Sequence, residues 1–182
     1  VADDNPIGLS RKGDGKDDVV EINQLHLPVN RPAVLDITSK DVIHSFFLPM
    51  LRVKQDAIPG MMIPIHFTPS KTTADIRQGM IETITLPIRN RNLDLYVTTE
   101  ELKDKDGNVL VKKNGILNGS ALKKLSAAGI TTLTIAPFNP TEIACAQLCG
   151  LNHFKMKGYL TVETDEQFAK WYAKEVEDQK EE

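Results

Sequence analysis

Both cysteines of the chain lie close to a histidine and a methionine. Cys145, Cys149, His153 and Met156 fall within the stretch 141–156, TEIACAQLCGLNHFKM. Two thiols, an imidazole and a thioether are the soft donors that hold copper or another thiophilic metal. Three arrangements fit the spacing. Positions 145, 149, 153 and 156 would line one face of a helix, as a buried stripe with inert thiols. Pro137-Phe-Asn-Pro140 before them and Gly150-Leu-Asn152 among them favour a loop instead. A Cys145–Cys149 disulfide would suit an exported protein, but it gives His153 and Met156 nothing to do. A metal site uses all four. Structural zinc closes its shell with thiolate and imidazole and gains little from a thioether, so the mixed set favours copper. A pair of cysteines suggests thiolates bridging two copper ions, each capped by its own imidazole, and that scheme demands a second histidine.

The remaining histidines are His26, His44 and His66. His26, in LHLP, and His66, in PIHF, sit in strand-edge contexts and read as structural. His44 lies in SKDVIHSFFLPM (39–50), followed by RVKQDAIPG (52–60). Asp41, Ser45 and Asn152 are near enough in sequence to orient the imidazoles, a role that outer partners commonly play at metal sites. Met50, Met61 and Met62 read as gap fillers of a core, the commoner use of methionine.

These separated blocks, Asp-Val-x-His-Ser, Lys-x-Asp-Ala-x-Pro-Gly and Cys-x-x-x-Cys-Gly-x-x-His-x-x-Met, resemble the copper A (CuA) domain of cytochrome c oxidase subunit II. The resemblance covers roughly residues 17–72 and 137–164. It implies His44 and His153 as imidazole ligands, Cys145 and Cys149 as bridging thiolates, Met156 as a weak thioether ligand and the main-chain carbonyl of Gln147 as a further donor. Members of the family often have Glu at that last position, joined to magnesium. Gln147 is neutral, so no magnesium is expected. Metal would also protect two thiolates from pairing in an oxidising compartment. The implied function is electron entry: electrons arrive from cytochrome c at the extracytoplasmic, periplasmic face and leave for haem in subunit I, where oxygen is reduced. The chain alone would be a relay within an oxidoreductase, without turnover of its own. The CuA domain of nitrous oxide reductase has similar ligand spacing, and a copper-delivery or structural metal-binding domain without redox role is a rival of another class.

The resemblance further implies an N-terminal transmembrane hairpin before the copper domain. The chain opens on Val1, so it is expected to be the soluble portion. The aromatic-rich strand in which the family carries its electron-entry tryptophan is not found. The only tryptophan is Trp171.

Composition agrees with one ordinary domain able to bury a core. The 182 residues are 41% hydrophobic and 26% charged, with net charge −3, which argues against a nucleic-acid partner. No apolar run reaches the roughly 18 residues needed to span a bilayer. Residues 1–18 read as an arm or loop. Strand character over 19–23, 32–38, 43–48 and 61–67, punctuated by Pro and Gly, predicts an antiparallel Greek-key β-sandwich. The resemblance implies its cupredoxin-like form, built from 19–72 and 137–164. Residues 73–136 read as an inserted α+β unit. It has strands at 80–86, 93–98, 108–112 and 131–135, a turn at 105–108, and a helix capped by Ser120 and stopped by Gly129. Residues 165–182 read as an acidic helix with Phe168, Trp171, Tyr172 and Val176 near helical spacing.

Overall fold

The computed structural model describes residue 15 and residues 18–87 and 92–179. The expected N-terminal arm therefore lies almost wholly outside the described residues. The fold is mainly β. Seven strands build the part that carries the cysteines: β1 (Gln24–Pro28), β2 (Ala33–Ile37), β3 (His44–Leu48), β4 (Val53–Ala57), β5 (Ile63–Phe67), β11 (Glu142–Cys145) and β12 (Lys157–Glu163). They form a five-stranded sheet in the order β1-β12-β11-β3-β4 and a separate β2-β5 pair.

Period-two alternation explains the sheet's inner face. Along β12, Gly158, Leu160 and Val162 are buried while their neighbours are not. Leu48, Leu160 and Val162 form the buried cluster, joined by Leu25, Leu27, Phe46, Val53 and Ile143, and by Phe67 from β5, which closes the sandwich. Leu160 is fully buried. Leu160→Ala is expected to cost about 2–5 kcal/mol. Denaturant unfolding checks this, and a loss under 1 kcal/mol would mean that the core lies elsewhere.

Register brings three loops to one end. Ile37 at the end of β2 pairs with Ile63 at the start of β5. His44 at the start of β3 faces Ala57 at the end of β4, and Cys145 at the end of β11 faces Phe46. A bridge between Ser39 and Pro59 ties the first two loops together. Residues 38–43, 58–62 and 146–156 therefore share the end of the sandwich that presents the cysteines. The 57–60 turn is as expected: the Met61 amide donates to the Ile58 carbonyl at 3.2 Å, and Gly60 takes φ +76°, where a side chain would be strained.

Residues 73–136 hold a second buried cluster, Ile84, Leu93, Val111, Leu117, Leu125, Leu133 and Ile135. Its elements are α1 (Thr73–Gln78), β6 (Glu82–Thr85), β7 (Tyr96–Thr98), β8 (Leu102–Lys103), β9 (Val109–Val111), α2 (Gly119–Ala127) and β10 (Thr132–Pro137). The sheet order is β6-β10-β7, with β8-β9 as a separate hairpin. A buried polar node fixes the start of α1 against β12. The Thr73 hydroxyl accepts from the Val162 amide at 2.9 Å and lies 3.2 Å from the Thr141 hydroxyl, which donates to the Leu160 carbonyl.

Several elements differ from the sequence expectation. Residues 19–23 form no strand; Asn23 is left-handed, with φ +60°, and β1 begins after it. The β1-β12 pair is parallel, so the sheet is mixed rather than wholly antiparallel. The helix α2 is capped by Asn118, whose side chain accepts from the Ala121 amide at 2.9 Å, and not by Ser120, which lies inside the first turn. Leu93–Leu95 is a 3-10 turn headed by Asn92, so strand β7 is short.

The acidic tail is α3 (Asp165–Asp178), opened by a capping box between Thr164 and Gln167. It docks on the edge strand β1. Trp171 stacks on His26 at 4.1 Å, and His26 Nδ1 lies 2.9 Å from Glu163 Oε2. His26 is thus a packed structural group, as expected. His66 is exposed on β5.

Candidate metal centre

The loop between β11 and β12 leaves the sheet at Cys145 and re-enters it at Lys157. Two backbone bonds pinch its base: the Cys145 amide donates to the Met156 carbonyl at 3.3 Å, and the Ala146 amide to the Ser45 carbonyl at 3.4 Å. Gly150 takes φ +137° at its tip, and a 3-10 turn at His153–Lys155 brings the chain back. This is a loop, and the helical stripe is excluded.

Within this frame the donor atoms converge. Cys145 Sγ and Cys149 Sγ are 3.7 Å apart, and both cysteines are free. His44 Nδ1 lies 3.9 Å from Cys145 Sγ, and His153 Nδ1 lies 3.4 Å from Cys149 Sγ. Met156 Sδ is 3.2 Å from Cys149 Sγ, and the Gln147 carbonyl oxygen is 3.2 Å from Cys145 Sγ. The donors of His44, Cys145 and Cys149 all lie within 4.8 Å of one another. Each sulfur therefore has an imidazole nitrogen of its own, and the six residues singled out in the sequence meet at one place. Two thiols, two imidazoles and a thioether are soft donors of the kind that suit copper.

Asp41 orients the remote imidazole. Its carboxylate lies 2.7 Å from His44 Nε2, which leaves Nδ1 aimed at Cys145. This hydrogen bond holds the Asp41 carboxyl down to about 2, and it raises His44 above the ordinary imidazole value against the opposing effect of burial. The other two expected orienting groups do something else. The Ser45 hydroxyl is buried and donates to the Gln55 carbonyl at 3.5 Å. Asn152 heads the 3-10 turn without a side-chain capping bond.

The two thiols are driven apart in acidity. Burial opposes ionisation of Cys145, but backbone hydrogen bonds with Ser45 and Gln147 and contacts with His44 and Cys149 outweigh it and bring the thiol down to about 6. Cys149 is pushed up, by desolvation and then by its neighbour Cys145. In the metal-free, reduced chain, iodoacetamide at neutral pH is expected to label Cys145 first, because the thiolate is the nucleophile. Peptide mass analysis across pH reads the order, and faster labelling of Cys149 would contradict it.

Two features were not read from the sequence. Leu148, Leu151 and Phe154, interleaved with the donors, are 82%, 97% and 68% exposed; the apolar residues among the donors were the available signal. Met50, Met61 and Met62, expected as core fillers, are exposed instead, because the core is filled by branched aliphatic side chains and the methionines fall on turns. Below the donors, a cleft of about 700 Å3 runs between the two sheets and ends on His44, Cys145 and Met156.

Parts of the chain are similar to known proteins. Residues 10–80 match the family described as cytochrome C oxidase subunit II, periplasmic domain. The alternative cytochrome c oxidase subunit 2 of Bradyrhizobium diazoefficiens is 40% identical over 74 residues, 40% of this chain and 27% of that one. Subunit 2 of Thermostichus vulcanus is 53% identical over 38 residues, 21% of this chain and 12% of that one. In Synechocystis the figures are 47% over 47 residues, 26% and 14%. The matched segments thus span little more than a quarter of these relatives at most. Among solved structures, the periplasmic domain of subunit II of the Bradyrhizobium japonicum cytochrome oxidase aligns with TM-score 0.47 and 19% identity, over 93% of this chain and 75% of that one. A mixed disulfide intermediate between a thioredoxin-like protein and subunit II of cytochrome c oxidase aligns with TM-score 0.43 and 20% identity, over 85% and 63%.

Proposed function

We propose, for a chain that carries the periplasmic-domain signature of cytochrome c oxidase subunit II over residues 10–80, that it is the electron-entry domain of a haem-copper oxidase. It holds a binuclear copper centre on Cys145, Cys149, His44, His153, Met156 and the Gln147 carbonyl. Cytochrome c is the donor, and haem in subunit I, within a membrane complex on the periplasmic side, is the acceptor. Among the described residues no helix is long and apolar enough to cross a membrane. We read residues 73–136 as an insertion carried by the copper-binding sandwich.

One observation carries the reading: the paired arrangement of sulfur and imidazole, 3.9 Å on one side and 3.4 Å on the other, across two sulfurs 3.7 Å apart. A structural zinc site has no use for Met156 beside it, and a mononuclear copper site would use one thiolate. When bound, the copper pair supplies a one-electron couple shared between two metals.

The chain's own residues keep the site in one shape. Asp41 fixes the His44 ring through Nε2. The Ser45 and Met156 carbonyls hold the loop base closed, so the donors are set by the β-framework and need little movement when an electron arrives or leaves. The exposed Leu148, Leu151 and Phe154 give the loop that carries the donors a low-polarity surface.

Copper reconstitution of the reduced chain tests the reading. The expected result is a purple product whose paramagnetic resonance spectrum shows one unpaired electron delocalised over two coppers. A spectrum of isolated Cu(II), or silent protein with zinc bound stoichiometrically in preference to copper, would overturn it.

A further inference from the structure

All five methionines of the chain are at the surface. Met50, Met61, Met62, Met80 and Met156 are 46%, 52%, 66%, 40% and 40% exposed, and neither buried cluster contains one. This reverses the usual role of a thioether, which fills irregular gaps in cores. A surface side chain with no packing role is open to a chemical one, and thioether sulfur is selective for Cu(I).

Position singles out two of them. Met61 closes the Ile58–Met61 turn and Met62 follows it, both ahead of β5 on the loop at the cysteine-bearing end of the sandwich. That loop is bridged through Pro59 to Ser39 of the loop that carries Asp41 and leads to His44. Met50 lies beyond β3, at the opposite end, and lines a groove with Met80, Arg52, Lys71 and Asp75, away from the loops that carry the cysteines and His44.

We propose that Met61 and Met62 form a landing site for Cu(I), which they hold before Cys145 and Cys149 take it. The inference rests on the copper reading above and extends it to how the metal enters. A thioether carries no proton, so it can receive Cu(I) without releasing one, whereas a cysteine must give up its thiol proton to bind as thiolate. In the transfer, copper–thioether bonds break and copper–thiolate bonds form. The displaced thiol proton goes to solvent and copper remains Cu(I), so no electron moves. Thiolate binds Cu(I) more strongly than neutral sulfur, which gives the exchange its direction.

The rival explanation is that these methionines are part of an apolar docking face with Leu148, Leu151 and Phe154. Leucine separates the two, since Met61→Leu/Met62→Leu keeps the apolar surface and removes only the sulfur. Both side chains are exposed, so the fold tolerates the exchange. The first measurement uses the full chain carrying Cys145→Ser/Cys149→Ser, titrated anaerobically with Cu(I) against a chromophoric chelator. X-ray absorption at the copper edge reads the ligands. The expected result is retained Cu(I) with sulfur neighbours, lost in the added Met61→Leu/Met62→Leu variant and kept in Met50→Leu/Met80→Leu. In the intact chain, Met61→Leu/Met62→Leu should slow Cu(I) uptake without lowering the final copper content. Unchanged retention in Met61→Leu/Met62→Leu, or no retention once the thiolates are gone, would overturn the proposal. The delocalised spectrum of the intact protein would be untouched by either result, so failure here is distinct from failure of the binuclear reading.

Discussion

His44→Ala is expected to give a chain that folds yet no longer assembles the binuclear copper centre. His44 is the one donor outside the 145–156 loop, reaching Cys145 Sγ at 3.9 Å through Nδ1. Its place is set by the β3-β4 backbone ladder opposite Ala57, which an alanine preserves. Loss of an outer partner of a metal ligand commonly costs about 10–100-fold in affinity. Loss of the ligand itself should cost more than that, while Asp41→Asn, which keeps the ring but weakens its anchor at Nε2, should fall within that range. Copper analysis with the resonance spectrum reads both variants. Full copper content with an unaltered delocalised spectrum in His44→Ala would remove His44 from the site, and the copper A reading with it.

What the sequence disclosed follows from how local each feature is. The loop could be read because five of the six donor residues lie within twelve positions, and because Pro and Gly around them favour a loop over a continuous helix. His44 is about a hundred residues away, and it was legible only through the Asp-Val-x-His-Ser context that singled it out from His26 and His66. The β2, β3 and β5 strands announced themselves by apolar, β-branched or aromatic runs. Val53–Ala57 did not: Val-Lys-Gln-Asp-Ala holds two charges, and it is a strand because the β3 edge offers it a ladder. The parallel β1-β12 pairing joins segments more than a hundred residues apart, which no local pattern records. The cap of α2 was missed by two residues for a simple reason. Asn118 and Ser120 are both good caps, and only the backbone decides which side chain meets a free amide. The exposure of Met61 and Met62 was the clearest reversal, because propensity for burial is a property of residue type, whereas a turn ahead of β5 places both at the surface.

Removing copper is expected to weaken the sandwich and to spare the second cluster. A ligand bound only by the native state contributes RT ln(1 + [L]/Kd), about 4 kcal/mol when free metal is 1,000 times Kd. Each kcal/mol moves Tm by roughly 2–4 °C for a chain of this size, so the copper-loaded protein should melt on the order of 10 °C higher. On the copper reading the donors would staple β3 to the β11-β12 loop, whereas the cluster around Leu117, Leu125 and Leu133 supplies none of them. Hydrogen exchange should therefore slow at residues 142–160 on loading and stay unchanged at 109–135. The pH dependence has a definite sign. Metal binding requires the thiolate and the neutral imidazole. With Cys149 pushed up, His44 raised by Asp41 and Cys145 brought down to about 6, protons compete with copper as pH falls, so the stabilisation should shrink progressively, first through the raised Cys149 and His44 and last through about 6, where Cys145 protonates. In the metal-free chain the pattern is different. The lowered Asp41 contributes stability above the ordinary carboxylate range, lost as pH falls through about 2, and the raised His44 contributes below the ordinary imidazole value, lost as pH rises through its elevated one. Equal melting temperatures with and without copper at neutral pH, or protection that appears at 109–135 instead of 142–160, would show that the metal does not bind where these donors meet.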